Sequence, residues 1–316
     1  MPARQTQQNS MWLELQTQLL ALPKMVLALS LMLLAVGLVF GLAERKFPLH
    51  PQPLLRKSWL MDVGYFYIGA IVPGVVLLLF MHLLNAILSP LGPMPWQAWV
   101  VNLSVPVAFV ASTLLGEVAY YWAHRLAHQV PFFWRFHSIH HSAPHVDWLV
   151  NTRAHPLDLS FVRAFGFVCL YAVGFAQRAP GSTEMANTIF VTWMTLWAYF
   201  VHANIRLNLG WLEYLVSSPH FHHWHHVKGD PALVDKNYAA TMPWVDMLFG
   251  TFYLPKNEWP QQYGIDDDLA PGLWDQLIDP LRGRRVKQIG LTAWGREPVK
   301  QQPLRSKRNG AKASSQ

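Results

Sequence analysis

Imidazole is the side chain that this sequence concentrates. Of 15 histidines, 13 lie between His124 and His226, and only His50 and His82 fall outside that stretch. Three groups are patterned: His124-Arg-Leu-Ala-His128, His137-Ser-Ile-His140-His141 and His222-His-Trp-His225-His226. Each places rings at i and i+4, or at i, i+3 and i+4, which on a helix is one face. Neutral imidazole is the commonest protein ligand for transition metals. One ion takes about four such ligands, so the number of rings favours two ions sharing a cage. The candidate ligands are His124, His128, His137, His140, His141, His222, His225 and His226. His50, His82 and His145 lack the pattern and read as ordinary surface or packed rings. His220 and His223 fall off the i, i+3, i+4 spacing and are expected behind the ligands or exposed.

The elements that must position these groups are apolar. The 316 residues are 52% hydrophobic and 14% charged, a low charged share for a soluble domain. Residues 1–24 lack the apolar core and cleavage site of a secretory signal and are expected to be retained. Met25 to Ala43 is uncharged and long enough to cross a bilayer as a helix. Val63 to Gly116 carries no charge, and Pro90, Gly92, Pro93 and Pro95 divide it into crossings near 63–88 and 96–116. Leu159 to Phe175 is apolar but holds Arg163, so it reads equally as a span or as a re-entrant or interfacial helix. Met185 to Ile205 is uncharged and carries His202 near its end. For the second and third groups to meet, the chain must cross an even number of times between them. The predicted fold is all-α: an integral-membrane bundle of three to five spanning or re-entrant helices under a histidine-rich cap. The predicted segments are 1–24, a transmembrane region 25–109, a catalytic domain 110–255 and an extension 256–316.

Charge sets the predicted orientation. The 44–58 loop holds Arg45, Lys46, Arg56 and Lys57, whereas the 89–97 loop holds no charge, and Arg178 and Glu184 flank the next turn. The positive-inside rule then puts the histidine groups and the C-terminus in the cytoplasm. Cys169 is the single cysteine, which excludes an internal disulfide. Beyond Leu281 there are ten Lys or Arg against Glu297 alone, so the net +7 of the chain comes from its tail. Such a tail suits anionic lipid heads, and nucleic acid is not an expected partner.

The three groups, in this order and between hydrophobic segments, resemble the fatty acid hydroxylase/sterol desaturase superfamily. The likeness covers roughly 110–255. It includes Tyr121-Trp-Ala-His124-Arg125, Arg153-Ala-His155-Pro156, Asn237-Tyr238, and Trp244-Val-Asp246-Met-Leu-Phe249-Gly250-Thr251. Phe200-Val-His202-Ala-Asn204 and Gly210-Trp-Leu-Glu213-Tyr214 look closer to its sterol-oxidase and alkylglycerol-monooxygenase branches. A departure is that acyl-hydroxylating members carry extra histidine pairs near the fourth transmembrane segment, where this chain has only His202.

The resemblance implies a membrane-bound non-haem diiron oxygenase using two iron ions (Fe2+/Fe3+) and dioxygen to hydroxylate or desaturate a lipid such as a sterol, alkyl lipid or fatty acyl chain. It makes His202 the ninth candidate ligand and leaves His155 equally a ligand or a structural residue. Metal-bound imidazoles usually donate their second N–H to an oxygen, and Glu117 and Asp246 are candidates, or else ordinary capping acids. The chain shows no nucleotide-binding glycine fingerprint and too few cysteines for an iron–sulfur cluster. A separate electron donor is therefore expected, a ferredoxin or a cytochrome with its reductase. The rival reading is a histidine-rich membrane metal transporter, whose ligands should lie within the spans. A zinc hydrolase is a weaker rival, since no His-Glu-x-x-His occurs.

Overall fold

The computed structural model describes residues 2–53, 55–177, 184–229, 232–283 and 286. Arg178 and the basic stretch from Lys287 onward, which the sequence reading used for orientation and lipid contact, lie outside them. The described residues contain helices and turns, with isolated bridges at Pro48–Ile205 and Val227–Tyr263 but no strand. The order is α1 (Pro2–Lys46), α2 (Trp59–Leu88), α3 (Pro95–Val101), α4 (Val105–Gln129), α5 (Pro131–His141), α6 (Pro156–Val173), α7 (Glu184–His202), α8 (Pro219–His225), α9 (Trp244–Leu248) and α10 (Leu273–Ile278).

Among the described residues, four stretches are long and apolar enough to cross a membrane: Leu19–Lys46, Trp59–Leu88, Val105–Gln129 and Pro156–Val173. The last contains most of the 159–175 segment and makes it one continuous helix. At 18 residues α6 is about 27 Å long, and Arg163 does not break it. The predicted crossing over 96–116 is corrected. α3 stops at Val101, where the Asn102 side chain bonds the Ala98 carbonyl (2.7 Å). A new helix starts at Val105, with Pro106 in its first turn, and runs on through His124 and His128. Glu117 does not end α4, because its buried carboxylate is bonded by the Thr241 hydroxyl and N–H. Absence of charge thus mislocated the boundary, since a satisfied acid is compatible with a helix interior.

The bundle has two distinct ends. At one, Trp96 and Gln97 donate to the Ala172 and Tyr171 carbonyls at the close of α6. Gly174 (φ +115) lets the chain turn there within van der Waals range of Gln97. At the other end, the loop after α1 meets the exit of α7. Leu49 N–H donates to the Asn204 carbonyl (3.0 Å), and the Asn204 amide bonds the backbone of His50 on both sides. All three histidine groups lie at this second end, where α4 finishes, α5 follows and α7 returns. Between the second and third groups the chain runs out along α6 and back along α7, so that His202 returns to this end; α6 is among the candidate spans found in the described residues, whereas α7, expected from the sequence as the stronger one, is not.

Buried ions fasten the same end. Asp62 on α2 pairs with Arg56 (2.5 Å) and Arg153 (2.6 Å), and Arg56 also grips Asp147 with two bonds. Asp147 caps the following turn through the N–H groups of Leu149 and Val150. Beside it, Val36, Trp148, Leu149, Tyr199, Ala203 and Ile205 form an apolar cluster joining α1 to α7. The Trp148 ring lies 3.3 Å from where a Cβ on Gly37 would sit, so α1 approaches closely because it has glycine there.

Asp62→Ala is expected to destabilise the protein by about 3–5 kcal/mol, since it leaves two buried guanidinium groups without their shared carboxylate. Thermal unfolding in detergent checks this. Glu44→Gln should cost much less, because an amide oxygen can still accept the Trp148 and Asn204 N–H groups that Glu44 now holds.

Candidate metal centre

Helix periodicity brings the rings together. On α4, His124 and His128 are one turn apart. α5 starts at Pro131, whose fixed φ suits a helix start, and ends in His137, His140 and His141. α7 ends at His202. α8 starts at Pro219, is capped by the Ser218 hydroxyl on Phe221 N–H (3.1 Å), and supplies His222, His225 and His226.

The nine rings sort into two groups whose donor atoms lie within 4.8 Å of one another: His124, His128, His137, His141 and His225, and then His140, His202, His222 and His226. The motifs are shared in a crossed manner. His137 and His141 join the first group while His140 turns to the second. His222 and His226 join the second while His225 turns to the first. The groups adjoin, since His141 and His226 stack with centroids 4.4 Å apart.

The nitrogens face inward. Nε2 of His137 lies 3.2 Å from that of His124 and 3.1 Å from that of His128. In the second group the Nε2–Nε2 separations run from 3.0 to 3.3 Å. Metal–nitrogen bonds of about 2.1 Å place neighbouring ligand nitrogens about 3.0–3.4 Å apart in octahedral or tetrahedral geometry. The other ring nitrogen donates outward. Nδ1 of His124, His140, His202 and His225 bonds the carbonyls of Tyr238 (2.8 Å), Arg153 (3.1 Å), Ala198 (2.7 Å) and Lys236 (2.8 Å). Nδ1 of His137 bonds Asp158 (2.9 Å) and that of His128 bonds Asp235 (3.2 Å). In these six rings the proton is thereby fixed on Nδ1, and the Nε2 lone pairs converge.

Burial opposes protonation of five of these rings. It pushes His225 down to about 3, and burial with neighbouring rings holds His140, His141, His222 and His226 well below the usual imidazole range. Convergent lone pairs in a dry site repel one another unless a cation lies between them. Nε2 of His141 and of His225 are buried with no protein partner at all. The donor set therefore fits two metal ions, and it contains no carboxylate.

Other predicted residues fall elsewhere. His155 is in neither group. Its Nδ1 accepts Leu157 N–H (3.1 Å) at the start of α6 and its Nε2 bonds the Leu277 carbonyl (3.0 Å). Of the two readings open for Glu117 and Asp246, partners of the rings or capping acids, the structure supports the second, since both accept backbone N–H groups and neither bonds a ring. Asp246 accepts the N–H groups of Tyr238 and Ala239 (both 2.8 Å), so it holds the peptide whose carbonyl meets His124. Asp158 and Asp235, which do touch histidines, carry no revealing spacing. Neither His220 nor His223 is exposed. His220 lies between Glu213 (3.2 Å) and the Glu258 carbonyl (2.7 Å), and His223 between the Tyr263 hydroxyl (2.8 Å) and the Ala203 carbonyl (3.2 Å).

Residues 109–251 match the family model Fatty acid hydroxylase. The ornithine lipid hydroxylase of Rhizobium tropici is 35% identical over 190 residues, covering 58% of this chain and 54% of that protein. Alkylglycerol monooxygenase of Xenopus tropicalis is 31% identical over 164 residues, 52% of this chain and 32% of its own length. A Delta(7)-sterol 5(6)-desaturase of Aspergillus fumigatus is 26% identical over 210 residues, 59% of each chain. The chain thus spans between a third and three fifths of the length of these relatives. No solved structure gives a significant match.

Removing one ring from each group tests the partition. His225→Ala is expected to lower metal content by the ion of the first group and His222→Ala by that of the second, while His155→Ala keeps both. Metal analysis of the purified variants checks this. His220→Ala should retain metal yet unfold at lower temperature, since it strips the buried Glu213 carboxylate of a partner.

Proposed function

We propose that this chain, whose residues 109–251 match the Fatty acid hydroxylase model, is a membrane-bound diiron oxygenase that oxidises a C–H bond of a lipid. The observation that carries this is the division of nine buried imidazoles into sets of five and four beside apolar helices. His124, His128, His137, His141 and His225 would hold one iron and His140, His202, His222 and His226 the other. A bound iron pair supplies the activation of dioxygen that an unactivated C–H bond requires.

The protein's own part is orientation and exclusion. Carbonyls of Tyr238, Arg153, Ala198 and Lys236, with Asp158 and Asp235, aim six rings by accepting their Nδ1 protons. The Asp62–Arg153 ion pair fixes the backbone that orients His140. Burial of all nine rings keeps bulk water from the reacting centre. The lipid class follows from place. Helices α4, α6 and α7 open onto the bilayer, and the similar proteins are named for action on an ornithine lipid, alkylglycerol and a sterol. We assign the catalytic domain to 110–255.

Two further parts belong to this reading. The histidine end carries Arg45, Lys46, Arg56 and Lys57 in its first loop while the opposite 89–97 loop is uncharged, which supports a cytoplasmic centre. Dioxygen chemistry also consumes electrons that a lipid does not supply, so a ferredoxin or a cytochrome with its reductase would dock on the histidine end.

Iron-loaded protein given dioxygen and a panel of membrane lipids is expected to form at most a stoichiometric amount of oxidised lipid, with sustained turnover only when a donor system is added. Continuous product formation from a nicotinamide nucleotide alone would contradict the need for a separate donor. No product from any lipid with donor present would contradict the oxygenase reading.

A further inference from the structure

One cavity reaches only the first of the two histidine groups. About 40 Å3 in volume, it is lined by His128, Trp134, His141, His225, Val234 and Asp235, among others, which leaves room for a few waters. Three of the five rings of the first group face it. None of His140, His202, His222 and His226 does. Three buried ring nitrogens without a protein partner, Nε2 of His141 and of His225 and Nε1 of Trp134, belong to rings in its wall.

Most of the cavity wall comes from segments that follow the third histidine motif, with His128 of α4 and Trp134 and His141 of α5 completing it. Lys228 and Gly229 belong to one of these segments and Gly264 and Ile265 to another. The two are tied by the Lys228 N–H bond to the Gln262 carbonyl (3.0 Å) and the Val227–Tyr263 bridge. Lys228 also pairs with the partly exposed Asp266 (3.6 Å), and Asp235 in the wall bonds His128.

We infer that this cavity is a water-side port to the first metal position alone, through which that ion enters and leaves and which the second ion does not use. The inference rests on the metal-centre reading proposed above. It makes the two positions kinetically unequal: the first ion should exchange with the aqueous phase faster than the second. Asp235 in the wall supplies a carboxylate that attracts a cation.

The test is anaerobic release of ferrous ion from the full-length protein into a water-soluble chelator, followed by absorbance. Wild-type protein is expected to lose its iron in two phases of comparable size. Val234→Trp, which fills the port, should slow the fast phase several-fold and leave the slow phase alone. Val234→Ala, which widens it, should speed the fast phase. A general loss of structure would accelerate both phases in both variants, so opposite shifts confined to one phase mark a port. A single release phase, or equal shifts of both phases, would overturn the inference while leaving the metal centre intact. Protein that binds no iron at all would instead overturn the metal-centre reading.

Discussion

Nine rings whose nitrogens converge in a buried space are the constraint on which the rest depends. Left alone their lone pairs would repel, and burial opposes protonating rings such as His140 and His225. The proposed pair of cations would resolve both difficulties, provided that each ring is held in one tautomer. Much of the polar architecture at this end serves that purpose. The carbonyls of Tyr238, Arg153 and Lys236 are offered by backbone that is itself fixed: Asp246 holds Tyr238, and Asp62 holds Arg153. Glu117 binds Thr241 in the same loop and so anchors it to α4.

The first two helices take part in this. They lie before residue 109, where the family match begins, and carry no metal ligand candidate. Yet Asp62 of α2 reaches Arg153, and Glu44 of α1 accepts the N–H groups of Trp148 and Asn204, next to where α7 delivers His202. The helices that look like simple anchors thus help to position the second histidine group, whose four rings come from three separate helices.

The sequence showed which rings would gather, because i, i+3 and i+4 spacing is a property of any helix. It also showed that apolar helices must carry them. Their division into five and four was not legible. It depends on how α5 and α8 are rotated relative to α4, so that His140 and His225 each turn away from their own motif neighbours. Asp158 and Asp235 were hidden for a similar reason, since they meet the rings only through tertiary packing. Reading Glu117 as the end of a crossing failed because a buried acid with two donors no longer behaves as a charge facing lipid. Of the two alternatives for His220 and His223, behind the ligands or exposed, the structure excludes exposure; spacing says which rings fall off the pattern and nothing about what else a buried ring can bond.

The most direct test is the metal content of full-length protein purified after growth with iron, combined with X-ray absorption at the iron edge. The expected result is close to two irons per chain with a first shell dominated by imidazole nitrogen at about 2.1 Å. One ion per chain, or a shell rich in carboxylate oxygen, would contradict a centre built from nine histidines.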